Sequence, residues 1–128
     1  MPWLFLDTHA PGQVRLGWLE TGRRPQVATH ATRAHQALNH LSEIWPRDPS
    51  KIAGVCVVAG PGSFSSVRSG VLDANLIARW LKVKLVGVSA DEAEKLPVLS
   101  QRLATERGVS YVAPVYDREP NITQPKAV

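Results

Sequence analysis

The sequence predicts an α/β domain whose mixed sheet joins an antiparallel meander to a βαβ unit. Apolar residues alternate with polar ones and with turn residues up to residue 29, which is typical of short antiparallel strands. A continuous apolar run at residues 52–59 precedes a long helical pattern and another apolar run. With 128 residues, of which 44% are hydrophobic, the chain has the size of one domain with helices packed on its sheet.

The first half of the chain predicts the meander. Residues 4–6 are apolar, and Pro11-Gly12 then supplies a tight turn. Apolar and polar residues alternate over residues 14–19, which indicates a second strand with one buried face. A short third strand is expected at residues 25–29.

The middle of the chain predicts the βαβ unit. From Thr32 to Trp45 the apolar residues fall at helical spacing, and the prolines that follow end this first helix. The run at residues 52–59 predicts a central strand covered on both faces. A second helix over residues 64–81 and a strand over residues 83–88 complete the unit, with a right-handed crossover.

The end of the chain predicts one more helix, one more strand and a tail. The helix is expected over residues 91–96, where a proline interrupts it, and residues 97–108 stay open between helix and loop. The last strand is expected at residues 109–116. The predicted organisation is one domain, residues 1–118, followed by a flexible C-terminal tail, residues 119–128.

The second helix carries two apolar stripes. One packs on the sheet, and the other must meet the first helix, another segment or another protein. The wider stripe contains Phe64, Val67, Val71, Ala74, Ala78 and Leu81, and the narrower one contains Leu72, Leu76 and Trp80.

Composition restricts the classes of function. The net charge of +4 and the pI near 9.6 tolerate an anionic partner, but the basic residues are dispersed and indicate a solvated surface. The single cysteine, Cys56, lies in an apolar run and fits a reducing compartment. The N-terminal apolar stretch is far shorter than the ~20 residues of a membrane span. We therefore expect a cytoplasmic protein with no membrane partner.

Three groups of polar residues are candidate chemical sites. The glycine-rich stretch before the second helix has anion-binding geometry but lacks the lysine and the spacing of a P-loop, so we interpret Ser63 as a helix cap. His30, His35 and His40 recur every five residues, a spacing that spreads them around a helix and argues against a metal site. No motif ties a base to the nearby serines. We expect no catalytic residue, no cofactor and no metal.

Three stretches of the chain resemble the TsaB family, also called YeaZ. They are Phe5-Leu6-Asp7-Thr8, Leu85-Val86-Gly87-Val88-Ser89 and the stretch from Gly60 to Gly70. The last is similar to the family motif GPGSFTGLRIG, which Gly60, Pro61, Gly62, Ser63, Phe64, Arg68 and Gly70 fit, while Ser65, Ser66, Val67 and Ser69 depart from it. His35 and Leu38 fit the family's first helix, and residues 111–118 its C-terminal end. The resemblance covers residues 1–95 and 109–118.

The resemblance implies a fold and a role. The fold is a single actin-like lobe of the ASKHA, ribonuclease H-like type. Family members carry a second lobe where only about a dozen residues, 96–108, stand here, so the resemblance implies a shortened form lacking most of that lobe. The implied role is that of a non-catalytic scaffold that binds TsaD, and through it TsaE, in threonylcarbamoyladenosine modification of tRNA. Contact with tRNA would be indirect.

The resemblance also places candidate site residues. In an actin-like ATPase, the positions of Asp7 and Thr8 hold a metal-linked carboxylate and a phosphate-contacting hydroxyl, so these two are weak cofactor candidates beside the turn-stabilising role that we favour. Arg68 is expected to tether the glycine-rich loop or to reach across an interface. The helical interface with TsaD, or with a second copy of the chain, is predicted to contain Leu38, Leu41, Trp45, Leu72, Leu76 and Trp80.

Two other classes of function stay open. The chain could be a divergent homodimeric binding or regulatory module that has kept only the scaffold. It could also be a degenerate ATP-binding or glycoprotease-like protein, although actin-like nucleotide sites lie between two lobes.

Overall fold

The computed structural model describes residues 1–117, and the predicted tail at residues 119–128 lies outside them. The strands are β1 (Trp3–Asp7), β2 (Val14–Leu19), β3 (Gln26–His30), β4 (Gly54–Gly60) and β5 (Lys84–Ser89). The helices are α1 (Ala37–Ile44), α2 (Phe64–Leu81) and α3 (Leu96–Leu103). Short 3₁₀ turns cover Ala34–Gln36, Pro49–Lys51 and Glu92–Glu94. Within residues 1–117 no helix has the length and apolarity to cross a membrane.

All five strands form one mixed sheet in the order β3-β2-β1-β4-β5. The first three strands pair antiparallel, and β4 pairs parallel with both β1 and β5. The predicted meander and βαβ unit are therefore confirmed. Every residue of β1 is buried, because β1 lies at the centre of the sheet with helices or turns over both faces.

The two faces of the sheet carry separate cores. Val55 and Val57 of β4 pack into the core below α1 and α2, whereas Cys56 and Val58 pack into the core below α3. This alternation explains why the β4 run is apolar at every position, since successive side chains enter opposite layers. Burying each such side chain stabilises the fold by roughly 1.5 to 3 kcal/mol relative to exposure.

Helix α3 corrects the prediction that a proline interrupts the helix there. The helix begins at Leu96 and contains Pro97 in its first turn. A proline is tolerated at this position because the first N–H groups of a helix have no intrahelical acceptor. The first helix is also shorter than predicted, because the stretch before Ala37 forms a 3₁₀ turn.

The segment at residues 109–117 corrects the prediction of a last strand. It has one isolated bridge, between Gly62 and Tyr116, and single backbone hydrogen bonds to the carbonyls of Leu85 in β5 and Ala59 in β4, but it forms no ladder. The side chain of Asn75 on α2 bonds both the N–H and the C=O of Val112, each at 3.0 Å. These two groups are therefore unavailable to a neighbouring strand, and Pro114 has no N–H to offer.

Candidate interaction surface on helix α2

The glycine-rich loop between β4 and α2, residues 60–63, is held by backbone hydrogen bonds. Its Gly60 carbonyl accepts from Ala90 N at 2.9 Å, and its Gly62 carbonyl accepts from Asp117 N at 3.0 Å. Gly60 has a φ of +122°, and a Cβ there would lie 2.0 Å from the Val115 carbonyl oxygen. Only glycine fits such a position. The loop therefore fixes where α2 begins.

Ser63 stands at the N-cap of α2, as predicted, but its side chain makes no capping hydrogen bond. The prediction of a side-chain cap is wrong in this respect. Its backbone carbonyl instead accepts the first helical bond, from Val67 N at 3.0 Å. The packing of the loop, rather than the hydroxyl, positions this end of the helix.

Asp7, at the end of β1, is buried, and both of its carboxylate oxygens have donors. Arg15 faces it across the β1–β2 pair and donates from Nε at 2.9 Å and from Nη2 at 2.7 Å. The other oxygen accepts from the His9 N–H at 3.0 Å, a bond between residues two apart that stabilises the turn. Nη2 of Arg15 also donates to the Ala93 carbonyl at 3.2 Å. Arg15 is a residue whose structural role the sequence pattern missed.

Thr8 is likewise buried and joins the turn after β1 to α2. Its hydroxyl donates to the Ser66 carbonyl at 2.7 Å. Gly70 provides the space for this contact, because a Cβ at that position would lie 2.1 Å from Thr8 Oγ1. The Asp7 and Thr8 side chains thus both bind to other parts of the chain.

Helix α2 leaves its narrower apolar stripe uncovered. Leu72, Leu76 and Trp80 expose 54%, 58% and 74% of their surface, while Val67, Val71 and Ala74 on the wider stripe are buried. Helix α1 lies mainly against β2, the 3₁₀ turn before it packs on α2, and neither covers the three exposed side chains. Of the three possible covers for the narrower stripe, the first helix is therefore excluded. We call Leu72, Leu76 and Trp80 the α2 stripe.

The residues predicted from the first helix divide between surface and core. Leu38 is 48% exposed, whereas Leu41 is only 8% exposed and belongs to the core. This burial corrects the prediction for Leu41, because a side chain inside the fold has no surface to offer a partner. Trp45 is half-buried and packs against the same core.

Arg68 and Phe64 extend the exposed surface toward the start of α2. The Arg68 guanidinium lies 5.6 Å from the centre of the Phe64 ring, a cation–π arrangement. The centres of the Phe64 and Tyr116 rings are 4.8 Å apart. Arg68 itself is exposed. Its contact is thus with the first residue of α2 rather than with the carbonyls of the loop.

An apolar groove borders the α2 stripe on the side of residues 109–117. It has a volume of about 210 Å³, and Leu72, Asn75 and Tyr111 are among its lining residues. Tyr111 is 65% exposed and widens the apolar surface. Sequence reasoning missed this part because it placed Tyr111 in a last strand, residues 109–116. The polar Asn75 between two apolar stripes was the signal available.

Asp73 lies on the other border of the stripe. It is half-buried, and burial raises the pKa of its carboxyl to about 6.

His30 and His40 stack across β3 and α1 with ring centres 4.1 Å apart. Within residues 1–117 no group of three or more His, Cys, Asp or Glu residues is arranged to hold a metal ion.

Comparison with protein families decides the relationship. The profile of the family described as "TsaD: tRNA N6-adenosine threonylcarbamoyltransferase" matches residues 22–104, which include β4 and α2. The chain belongs to this family. A search of curated proteins gives no match.

Solved structures give the fold of this TsaD-family chain. YeaZ from Pseudomonas aeruginosa is similar with a TM-score of 0.60 and 21% identity over 70% of this chain and 45% of YeaZ. An uncharacterized protein with similarity to peptidase YEAZ from Pseudomonas aeruginosa has the same TM-score and identity over 83% of this chain and 49% of its own. The predicted actin-like, YeaZ-type fold is confirmed, and the chain spans about half the length of these relatives.

Proposed function

We propose that this chain is a non-catalytic scaffold that binds TsaD and supports threonylcarbamoyladenosine modification of tRNA. The observation that carries the proposal is the α2 stripe, an apolar helical face that the described fold leaves in solvent. Monomeric proteins rarely expose contiguous apolar surface of this kind unless a partner covers it. The family match and the YeaZ-type fold direct the choice of partner to TsaD, with TsaE reached through it and tRNA only indirectly.

The shape of the stripe favours a helical partner. Leu72, Leu76 and Trp80 follow one another at four-residue intervals, which places them in a row along the axis of α2. A helix of the partner laid along this row would contact all three side chains. Leu38 and the Tyr111 groove offer further apolar surface. A large aromatic side chain such as Trp80 is the type of residue that dominates interface energies.

The polar residues near the loop support a structural role. Asp7 is at the position that would approach a metal in an actin-like ATPase. Here both of its carboxylate oxygens accept hydrogen bonds, one from Arg15 and the other from the His9 N–H. Thr8 donates its hydroxyl to α2. These contacts connect β1, β2 and α2, and so hold α2 in the orientation that presents its stripe. The proposed scaffold works in the cytoplasm.

The test is light scattering on size-exclusion fractions of the chain, alone and mixed with TsaD of the same organism. We expect a heteromeric complex that Leu76→Glu weakens roughly thirtyfold or more, since a hot-spot residue contributes about 2 kcal/mol. Val98→Glu is the matched control, because Val98 is also an exposed apolar helix residue, 61% exposed, but belongs to α3 below the other face of the sheet.

Three outcomes distinguish the hypotheses. A complex lost only in Leu76→Glu supports the proposal. A stable self-dimer that excludes TsaD supports the alternative of a homodimeric module. A complex that Leu76→Glu leaves intact contradicts the proposal, because the α2 stripe is then not in the interface. Equal loss in both variants also contradicts it, because the effect is then not specific to the α2 stripe.

A further inference from the structure

A second concave site lies at the opposite end of the sheet from the glycine-rich loop. Its cavity, of about 240 Å³, is formed where β2 ends, β3 begins and α1 ends. Trp18 of β2, Ile44 of α1 and Ile52 before β4 provide its apolar wall. The loop follows the carboxyl end of β4, whereas Ile52 precedes the amino end, so the length of β4 separates the two places.

The rim of this cavity is cationic. Three basic side chains, Arg23, Arg24 and Lys51, line it beside a single carboxylate, Glu20. Glu20 already pairs with Arg23, with 3.5 Å between Oε2 and Nε. Arg24 and Lys51 are exposed and form no salt bridge with any residue of 1–117. Neither cation is therefore held in a salt bridge within the described part of the chain, and the carboxylate that acts on Lys51 electrostatically is that of Asp48.

An apolar wall with an indole, below a cationic rim, suits a ligand that has a flat ring at one end and an anion at the other. A cavity of about 150 Å³ accommodates benzene, and drug-sized ligands occupy roughly 300 to 1,000 Å³. The cavity here thus admits a heterocyclic ring with part of a sugar and leaves a phosphate at the rim. Guanidinium groups bind phosphate in bidentate geometry, and aromatic side chains stack with nucleobases.

We propose that this cavity binds a nucleoside 5′-monophosphate, with the base against Trp18 and the phosphate between Arg24 and Lys51. The site goes beyond the proposed function, because it shares no residue with the α2 stripe and needs no partner protein. Neither the interface experiment nor its outcome bears on it.

The test is isothermal titration calorimetry of the purified chain with AMP and UMP. Adenosine, which lacks the phosphate, and ribose 5-phosphate, which lacks the base, serve as half-ligands. We expect both nucleotides to bind and each half-ligand to bind at least about tenfold more weakly, because each engages only one of the two features. The double variant Arg24→Glu, Lys51→Glu should lower the affinity for AMP by about a hundredfold, at roughly tenfold for each reversed contact. Both side chains are exposed, so folding should survive, which circular dichroism checks.

Arg33→Glu provides the control for a different nucleotide site. Arg33 is also exposed, but it lines a separate polar pocket with His35 and Ser65 near the start of α2. The proposal requires Arg33→Glu to leave AMP affinity nearly unchanged. It is overturned if AMP gives no binding heat at millimolar concentration, if Arg33→Glu weakens AMP as much as the double variant does, or if ribose 5-phosphate binds as tightly as AMP.

Discussion

The contact between Thr8 and Gly70 provides a double-mutant cycle on the junction of β1 and α2. Gly70 lies inside α2, where alanine in place of glycine normally stabilises a helix by about 1 kcal/mol. In this chain the added Cβ would lie 2.1 Å from Thr8 Oγ1 and 2.9 Å from its Cγ2. Overpacking of a buried site costs roughly 1 to 3 kcal/mol, and this close approach falls at the upper end. We therefore expect Gly70→Ala to destabilise the fold by about 2 kcal/mol net.

The second arm of the cycle is Thr8→Ala. It removes a buried methyl group and the hydrogen bond to the Ser66 carbonyl, which together cost about 2 kcal/mol. In the double variant the two closest contacts are removed and the helical preference of alanine remains, but the Cβ at position 70 would still lie 3.0 Å from the Cβ at position 8, so the loss should be about 1 to 2 kcal/mol.

Urea denaturation of the wild type, both single variants and the double variant measures the coupling between the two sites. The expected coupling energy is about 2 to 3 kcal/mol in magnitude. Single-variant effects that add to within about 0.5 kcal/mol would refute the reasoning, because independent sites behave in that way.

Three further predictions follow from buried polar groups. Asn75→Ala should lower the free energy of unfolding, measured with urea, by about 2 kcal/mol and should speed amide exchange at Val112, because two hydrogen bonds between segments are lost. The control Asn39→Ala, on the exposed face of α1, should change little, and equal effects of the two variants would contradict the prediction. Burial raises the pKa of the Cys56 thiol to about 12, so native protein at pH 8 should resist iodoacetamide until urea unfolds it, and rapid labelling of folded protein would exclude the buried placement. Burial raises the pKa of the Asp73 carboxyl from 3.8 to about 6. Between these two pH values the folded state binds a proton that the unfolded state lacks, so the stability of the fold decreases as the pH rises through this range. Asp73→Asn should therefore stabilise the protein at pH 7.5 but not at pH 4, and a stabilisation that is independent of pH would contradict this explanation.

The elements that could be predicted are those in which the local pattern and the packing agree. The apolar run of β4 has apolar neighbours on both faces of the sheet, so its interior place, between β1 and β5, followed from the sequence alone, although the central strand is β1. The predicted limits of α2 match the observed Phe64–Leu81, because glycines and a proline precede it and Lys82 adopts a left-handed conformation at its end.

The segment at residues 109–117 could not be predicted because its decisive partner is distant. Asn75 lies 37 residues away from Val112, and its side-chain amide substitutes for a neighbouring strand. An apolar, β-branched stretch is equally compatible with a strand and with a single extended segment, so the pattern gives no basis for choosing.

The candidate surface was predictable in part. The spacing of the α2 stripe identified Leu72, Leu76 and Trp80 as a second face, but whether the first helix covers it depends on where that helix packs. The same packing buries Leu41 and exposes Leu38 within one turn. The cavity beside Trp18 is built from strand, helix and turn residues far apart in sequence, and no spacing rule reveals such a site.

The measurement that tests the central claim most directly is reconstituted tRNA modification by TsaD, with this chain supplied as wild type, Leu76→Glu or Val98→Glu. The scaffold account predicts that modification requires the chain. At matched concentrations the Leu76→Glu variant should fail to support modification, whereas the Val98→Glu variant should support it as the wild type does. Modification that proceeds equally well with Leu76→Glu, or without the chain at all, would contradict the claim that TsaD is supported through the exposed face of α2.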